Sequence, residues 1–194
     1  MKPSPTAGRW VFVCGPSGSG KDSVIAQAQQ ALEGRSTIVF ARRFITRPAQ
    51  AASDHEALDA PAFANLLETG GLCWHWQTHG FFYGISRAYG NAFHAGCVVV
   101  VNGSREHVAG LAASPDLSVV HITADQDTLA ERLARRGRDT PASIAQRLAR
   151  NNDLEGLRAD CVIVNNGELA AAGRQLAAYL EDAVAALTPT STPA

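Results

Sequence analysis

No run in this 194-residue sequence approaches the roughly 18 consecutive apolar residues that a membrane-spanning helix needs. The opening MKPSPTAGR is polar, holds two prolines and lacks the apolar segment of an export signal, so a soluble chain that stays in the cytoplasm is expected. A charge excess is missing too. Lys and Arg number 17 against 18 Asp and Glu, and a formal net charge of −1 offers nucleic acid no global attraction. Partners must therefore be read from local charge, and neither nucleic acid nor membrane is expected among them. No two of the four cysteines, Cys14, Cys73, Cys97 and Cys161, have C-x-x-C spacing, and three border or enter apolar runs, as free thiols in a reducing cytoplasm do. Internal repeats and an interdomain linker are also lacking, and the length suits one domain with a sizeable core.

What is present is a series of short apolar runs: WVFVC at 10–14, TIVFA at 37–41, CVVVV at 97–101, SVVHIT at 118–123 and CVIV at 161–164. They are near-continuous rather than alternating, the pattern of strands buried on both faces, and helical patterns separate them. A five-stranded parallel sheet flanked by helices, an α/β fold, is expected over residues 10–187. The first crossover, KDSVIAQAQQALEGR, carries Val24, Ile25, Ala28, Ala31 and Leu32 near 3.6-residue spacing and stops at Gly34. Residues 42–96 interrupt the rhythm with an aromatic-rich insertion, which we read as the acceptor-binding part. Around 132–150 the segments DQDTLAERLARRGRD and TPASIAQRLAR form two helical arms of a small lid, the second with Thr140 as N-cap and Pro141 at N1. Residues 1–9 are expected to be flexible and the Pro/Thr-rich stretch 188–194 disordered.

The stretch GPSGSGKDS, Gly15 to Ser23, has the glycines and lysine of a phosphate-binding loop, G-x-x-x-x-G-K-[ST], between a strand and a helix. Gly15, Pro16, Ser17, Gly18, Ser19, Gly20 and Ser23 would wrap phosphates with backbone N–H groups at a helix N-terminus, and Lys21 would reach the β- and γ-phosphates of a nucleotide. Asp22 stands where a magnesium-binding hydroxyl is usual, so a carboxylate faces a triphosphate, a conflict that a bound cation would resolve.

Six of the 17 basic side chains lie between 132 and 150, all arginines: Arg132, Arg135, Arg136, Arg138, Arg147 and Arg150. Planar guanidinium groups grip phosphate bidentately and can stabilise a transferring phosphoryl group; the bland alternative is a solvated helix face. His75 and His79 have helical metal-ligand spacing, but Gly80 and the aromatic run argue against a helix, so an anion pocket with Arg42, Arg43, Arg47 and His55, or plain surface histidines, is the better reading. After CVVVV comes Asn102, not a carboxylate. A kinase acting on a sugar hydroxyl usually needs a base there or elsewhere; a phosphate acceptor, with a second pKa of about 6, is already an anionic nucleophile.

These segments resemble the guanylate kinase-like branch of P-loop kinases: GPSGSGK its phosphate loop, FITRP its T-T-R segment, HGFFYGIS its G-N-Y-Y-G segment, ERLARRGRD and SIAQRLAR its arginine lid, and DCVIVNN its adenine-side strand. The resemblance runs from about Val11 to the last helix. Trp74, Ile85 and Gln50 depart from it at two guanine contacts and a second phosphate arginine. Within the branch, GPSGSGKDS, ITR, YG and VNGSR resemble most the ribose 1,5-bisphosphate phosphokinases, which transfer the γ-phosphate of ATP to ribose 1,5-bisphosphate in phosphonate breakdown, giving 5-phosphoribosyl 1-diphosphate. That resemblance implies ATP and Mg²⁺ as cofactors, catalytic Lys21, Arg132, Arg136, Arg138 and Arg147, and Asn165 on the adenine side. It implies acceptor binding by Arg43, Arg47, His55, His75, Tyr83, Asn102 and Arg105; with Asn102 where the related pattern has a carboxylate, we expect Mg²⁺ at Asp22, the bland alternative being a charge at a helix N-terminus. Two rivals stand beside it: a nucleoside monophosphate kinase, and a guanylate kinase-like module that binds phosphorylated partners without catalysis.

Overall fold

The structure, a computed structural model, describes residues 7–48, 55–135, 140–152 and 158–187. In chain order the elements are β1 (Arg9–Cys14), α1 (Lys21–Ala31), β2 (Ile38–Ala41), β3 (Arg43–Ile45), β4 (His55–Ala57), α2 (Ala60–Glu68), β5 (Leu72–Thr78) and β6 (Phe81–Ser86). They continue with α3 (Ala88–His94), β7 (Val98–Asn102), α4 (Arg105–Ala109), β8 (Leu117–Thr123), α5 (Gln126–Arg135), α6 (Pro141–Asn152), β9 (Cys161–Val164) and α7 (Leu169–Leu187).

The five apolar runs form one parallel sheet in the order β2-β7-β1-β8-β9. Strand β7 shows why they carry no alternation. Val98 and Val100 enter one core cluster, Val99 and Val101 another, so both faces are buried. On the first face α1 and α7 pack over an aliphatic layer that includes Val11, Val13, Val24, Ile122, Leu176 and Leu180. On the second face lies an aromatic layer, with Trp10 and Phe12 of β1 against Trp76, Tyr83 and Ile85.

Those last three residues belong to a second sheet, in the order β4-β3-β6-β5, built from the segment between β2 and β7. Its β5–β6 hairpin turns through His79 and Gly80, whose φ angles of 52° and 77° are both left-handed, as in a type I′ turn. His75 and His79 therefore sit on a strand and a turn, not on a helix. Helix α2 starts where Asp59 accepts a hydrogen bond from the Ala62 N–H at 2.7 Å, and α6 where the Thr140 hydroxyl accepts from the Ser143 N–H at 3.2 Å. No helix among the described residues is long and apolar enough to cross a membrane.

Candidate active site

The loop after β1 is held from three sides. A Cβ at Gly15 would lie 2.0 Å from the Ile122 carbonyl oxygen, so only glycine lets β1 leave the sheet this close to β8. Gly20 has φ 79°, and a Cβ there would meet the Asn165 amide nitrogen at 2.6 Å. Asn165, 3% exposed at the end of β9, donates from that nitrogen to the Ser19 carbonyl at 2.8 Å. From another side, Arg147 of α6 donates to the Ser17 hydroxyl at 3.0 Å. Arg132 of α5 lies beside Gly20, and its buried Nη1 has no hydrogen-bond partner.

Lys21 opens α1, which begins at the left-handed Gly20 and presents its N-terminus to the loop. Its ammonium donates to Asn102 Oδ1 at 2.5 Å and lies 3.5 Å from Asp22. Asn102 Nδ2 in turn donates to Asp22 Oδ1 at 2.5 Å, and the Arg43 guanidinium is 3.8 Å from the same oxygen. Burial pulls the Lys21 ammonium below its ordinary pKa, with the Asp22 carboxylate opposing that pull. The Lys21 charge holds the Asp22 carboxyl down at about 2, against burial and with help from Asn102 and Arg43. Beneath the loop Cys14 has its thiol pushed up to about 11 by burial, so it stays protonated and is no nucleophile.

Arg43 arrives from the second sheet. It is 9% exposed, and it shares a sheet face with His55, Ile45, Tyr83 and Ile85 through the β3–β4 and β3–β6 registers. Its guanidinium carbon stands 6.0 Å from the Tyr83 ring centroid; Tyr83 stacks on Trp76 at 5.5 Å, and Trp76 on His107 at 4.8 Å. Arg47 lies over Phe81 at 6.0 Å, with its Nε buried and without a hydrogen-bond partner. Arg105, at the first turn of α4, is close enough to Cys14 and His121 to act on both, and burial lowers its pKa. The loop, helices α5 and α6 and the second sheet thus converge cations at the C-terminal edge of the parallel sheet, where ligands of open α/β sheets bind.

Curated relatives put a family to this arrangement. The chain is 41% identical over 181 residues to the ribose 1,5-bisphosphate phosphokinase PhnN of Thiobacillus denitrificans, covering 91% of this chain and 94% of that one. It is 43% identical over 180 residues to the protein of the same name from Burkholderia mallei, covering 91% and 97%. The chain belongs to the ribose 1,5-bisphosphate phosphokinase family. A bifunctional ribose 1,5-bisphosphokinase-thymidine phosphorylase of Azorhizobium caulinodans matches 74% of the chain at 49% identity, using 21% of its own length. No family model matches. Among solved structures, guanylate kinase from Anaplasma phagocytophilum superposes with a TM-score of 0.67 over 95% of this chain and 89% of its own, at 17% identity, which shows the guanylate kinase fold.

Within this family member, not every residue singled out from the sequence reaches the site. His75 is exposed, and its register partner is Gly84, so it lies on the face of the second sheet opposite Trp76 and Tyr83. It is removed from the acceptor set for that reason: strand alternation points it away. Asn165, expected on the adenine side, braces the loop through its amide nitrogen, while its Oδ1 is buried without a hydrogen-bond partner. Asn102, expected to touch the acceptor, has both ends of its amide engaged by Lys21 and Asp22. Arg135 points to solvent and pairs with Glu131 at 3.7 Å, the plain helix-face reading. Arg136 and Arg138 lie outside the described residues, as do Gln50 and the 188–194 stretch.

Two neighbours of the site extend it. Trp76 and His107 complete the stacked column under Tyr83 and Arg43; membership of an aromatic-rich segment was the only sequence signal for Trp76, and His107 reads from the sequence as a structural histidine. Trp74 and Ile85, the two departures from the guanine contacts, are both built into the core. Ile85 is fully buried, and Trp74 meets the rings of Phe12 and Trp10 edge-on at 5.2 Å and 5.8 Å.

Proposed function

We propose that this chain transfers the γ-phosphate of ATP to the 1-phosphate of ribose 1,5-bisphosphate, giving ADP and 5-phosphoribosyl 1-diphosphate, a reaction of phosphonate breakdown. The observation that carries this reading is Arg43: a nearly buried guanidinium supplied by the second sheet, 3.8 Å from the phosphate-loop carboxylate Asp22, with Trp74 and Ile85 packed where a base would need polar contacts. A base-reading site depends on such buried hydrogen bonds for selectivity, and apolar core cannot supply them. A sugar carrying two phosphates needs cations instead, and Arg43, Arg47 and Arg105 are arranged to meet them, with Tyr83 and His55 on the same sheet face as Arg43.

In this mechanism an oxygen of the acceptor's 1-phosphate attacks the γ-phosphorus, and the bond to the β,γ-bridging oxygen breaks in line, leaving ADP. That oxygen is already anionic near neutral pH, so no side chain has to take a proton. Lys21 and the loop amides hold the β- and γ-phosphates, and Arg132, Arg147, Arg136 and Arg138 neutralise the charge that spreads over the transferring oxygens. Closing the arginine arms excludes water, which would otherwise compete as acceptor.

The donor set also fits Mg²⁺. Asp22 offers a hard carboxylate with a half-exposed side chain, and its Oδ1 meets Asn102, Lys21 and Arg43. One carboxylate completed by phosphate oxygens and water is an ordinary magnesium site, and no cluster of three His, Cys, Asp or Glu able to hold a metal occurs among the described residues. When bound, the ion supplies positive charge to the β- and γ-phosphate oxygens.

Offering labelled ATP in parallel with ribose 1,5-bisphosphate, GMP, AMP and CMP tests the reading. Label is expected in 5-phosphoribosyl 1-diphosphate; product from GMP alone would overturn it.

A further inference from the structure

Asn102 ends the interior strand β7, and its backbone is pinned by register with Val13 and by the Gly103 N–H donating to the Val13 carbonyl at 2.9 Å. Its side chain therefore projects from a rigid point into the loop that follows β1. There it does two different things at once: it accepts from the Lys21 ammonium and donates to the Asp22 carboxylate. Only one orientation of the amide allows both, because turning it over would aim N–H groups at an ammonium and an oxygen at a carboxylate. Asp22 stands 80 residues away in sequence, so nothing local forces this match.

We propose that Asn102 is a positioning residue matched to Asp22, and that the site requires one carboxylate and one amide across positions 22 and 102. This rests on the phosphokinase reading above for its assay, not for its geometry. The amide and the carboxylate share Lys21: the ammonium hydrogen-bonds to Asn102 at 2.5 Å and lies 3.5 Å from Asp22. Lys21 is thereby aimed by two acceptors, one amide oxygen and one carboxylate oxygen, and keeps a single counter-charge beside it. A second carboxylate at 102 would lose the donor to Asp22 and set two like charges within hydrogen-bond distance, which raises the pKa of one of them. No carboxylate at all would leave Lys21 and Arg43 facing one another without the anion that now lies between them.

Four variants test this: Asn102→Ala, Asn102→Asp, Asp22→Asn, and the exchange Asp22→Asn with Asn102→Asp. Each is assayed for kcat and KM with ATP and ribose 1,5-bisphosphate, for Mg²⁺-ATP binding by calorimetry, and for thermal unfolding without ligand. Loss of a preorganised polar contact of this kind costs about 10²–10³-fold in rate, which is the drop expected for Asn102→Asp. Asn102→Ala should lose about 10-fold or more in kcat/KM, with ATP binding weakened in step. The exchange variant should recover to within about 10-fold of the wild type, because one amide and one carboxylate again face each other. An exchange variant no better than Asn102→Asp, or an Asn102→Ala enzyme with wild-type kcat/KM and ATP affinity, overturns the proposal. A wild type that ignores ribose 1,5-bisphosphate would sink the phosphokinase reading alone, since the rank order of Mg²⁺-ATP affinities across the same variants still decides the matched pair.

Discussion

The two faces of the parallel sheet are built from different chemistry. Under α1 and α7 the buried layer is Val, Ile, Leu and Ala. Toward the second sheet it is Trp10, Phe12, Trp76 and Tyr83, and there Trp74, Trp76 and His107 each keep a buried ring nitrogen without a hydrogen-bond partner. Aliphatic packing stabilises in proportion to area and needs no directed contacts, while partly satisfied polar groups cost stability and are kept where a ligand or a fixed side chain needs them. One face holds the fold; the other holds Arg43 and its neighbours in place against the loop.

The sharpest separation of the two comes from Lys21→Ala. Turnover should fall by about 10³-fold or more, while Tm stays within about 3 °C, because a mostly buried charge is removed along with its partner contact. An enzyme with normal kcat would end the division of labour drawn here.

Leu176→Ala works from the opposite side. Leu176 is fully buried in the aliphatic layer, so its truncation should cost about 2–5 kcal/mol, seen as a Tm lower by about 5–15 °C, with kcat of the folded fraction unchanged. A kinetic defect at a temperature where the variant is fully folded would show that the aliphatic face also shapes the site.

The smallest effect is expected from Cys14, beneath the loop. Its thiol pKa is raised to about 11 by burial, so the unfolded chain releases this proton first as pH rises. The folded state should therefore lose about 2–3 kcal/mol between roughly pH 9 and 11, on top of what other groups contribute. Alkaline unfolding curves of the wild type and Cys14→Ala should diverge over that window, the variant being the flatter; parallel curves would mean that the thiol is not titrating from a buried position.

Much of the fold was readable because its signals are local. Five apolar runs, each within one or two residues of an observed strand, carried the parallel sheet, and Thr140 caps α6 as its position suggests. The second sheet was harder. Strands β3 and β4 are three residues each, too short to show a period, and β4 pairs with β3 across residues that look like loop. At the site, the phosphate loop and lid arginines were visible as motifs, and Arg132 and Arg147 do approach the loop. His75 could not be sorted from His55 without the register, since a single residue of strand phase decides which face a side chain takes.

Chain order and residue type alone determined the layered architecture, the anion-binding loop and the cationic character of the site, because backbone propensity, burial pattern and charge are properties of neighbouring residues. Only the tertiary structure decided what surrounds Asp22. Lys21 is its neighbour in sequence, but Asn102 comes from the neighbouring strand β7 and Arg43 from another sheet, which packs against the first across an aromatic layer. An aspartate that reads as a defect within GPSGSGKDS becomes, in three dimensions, the shared anion of two cations and an amide.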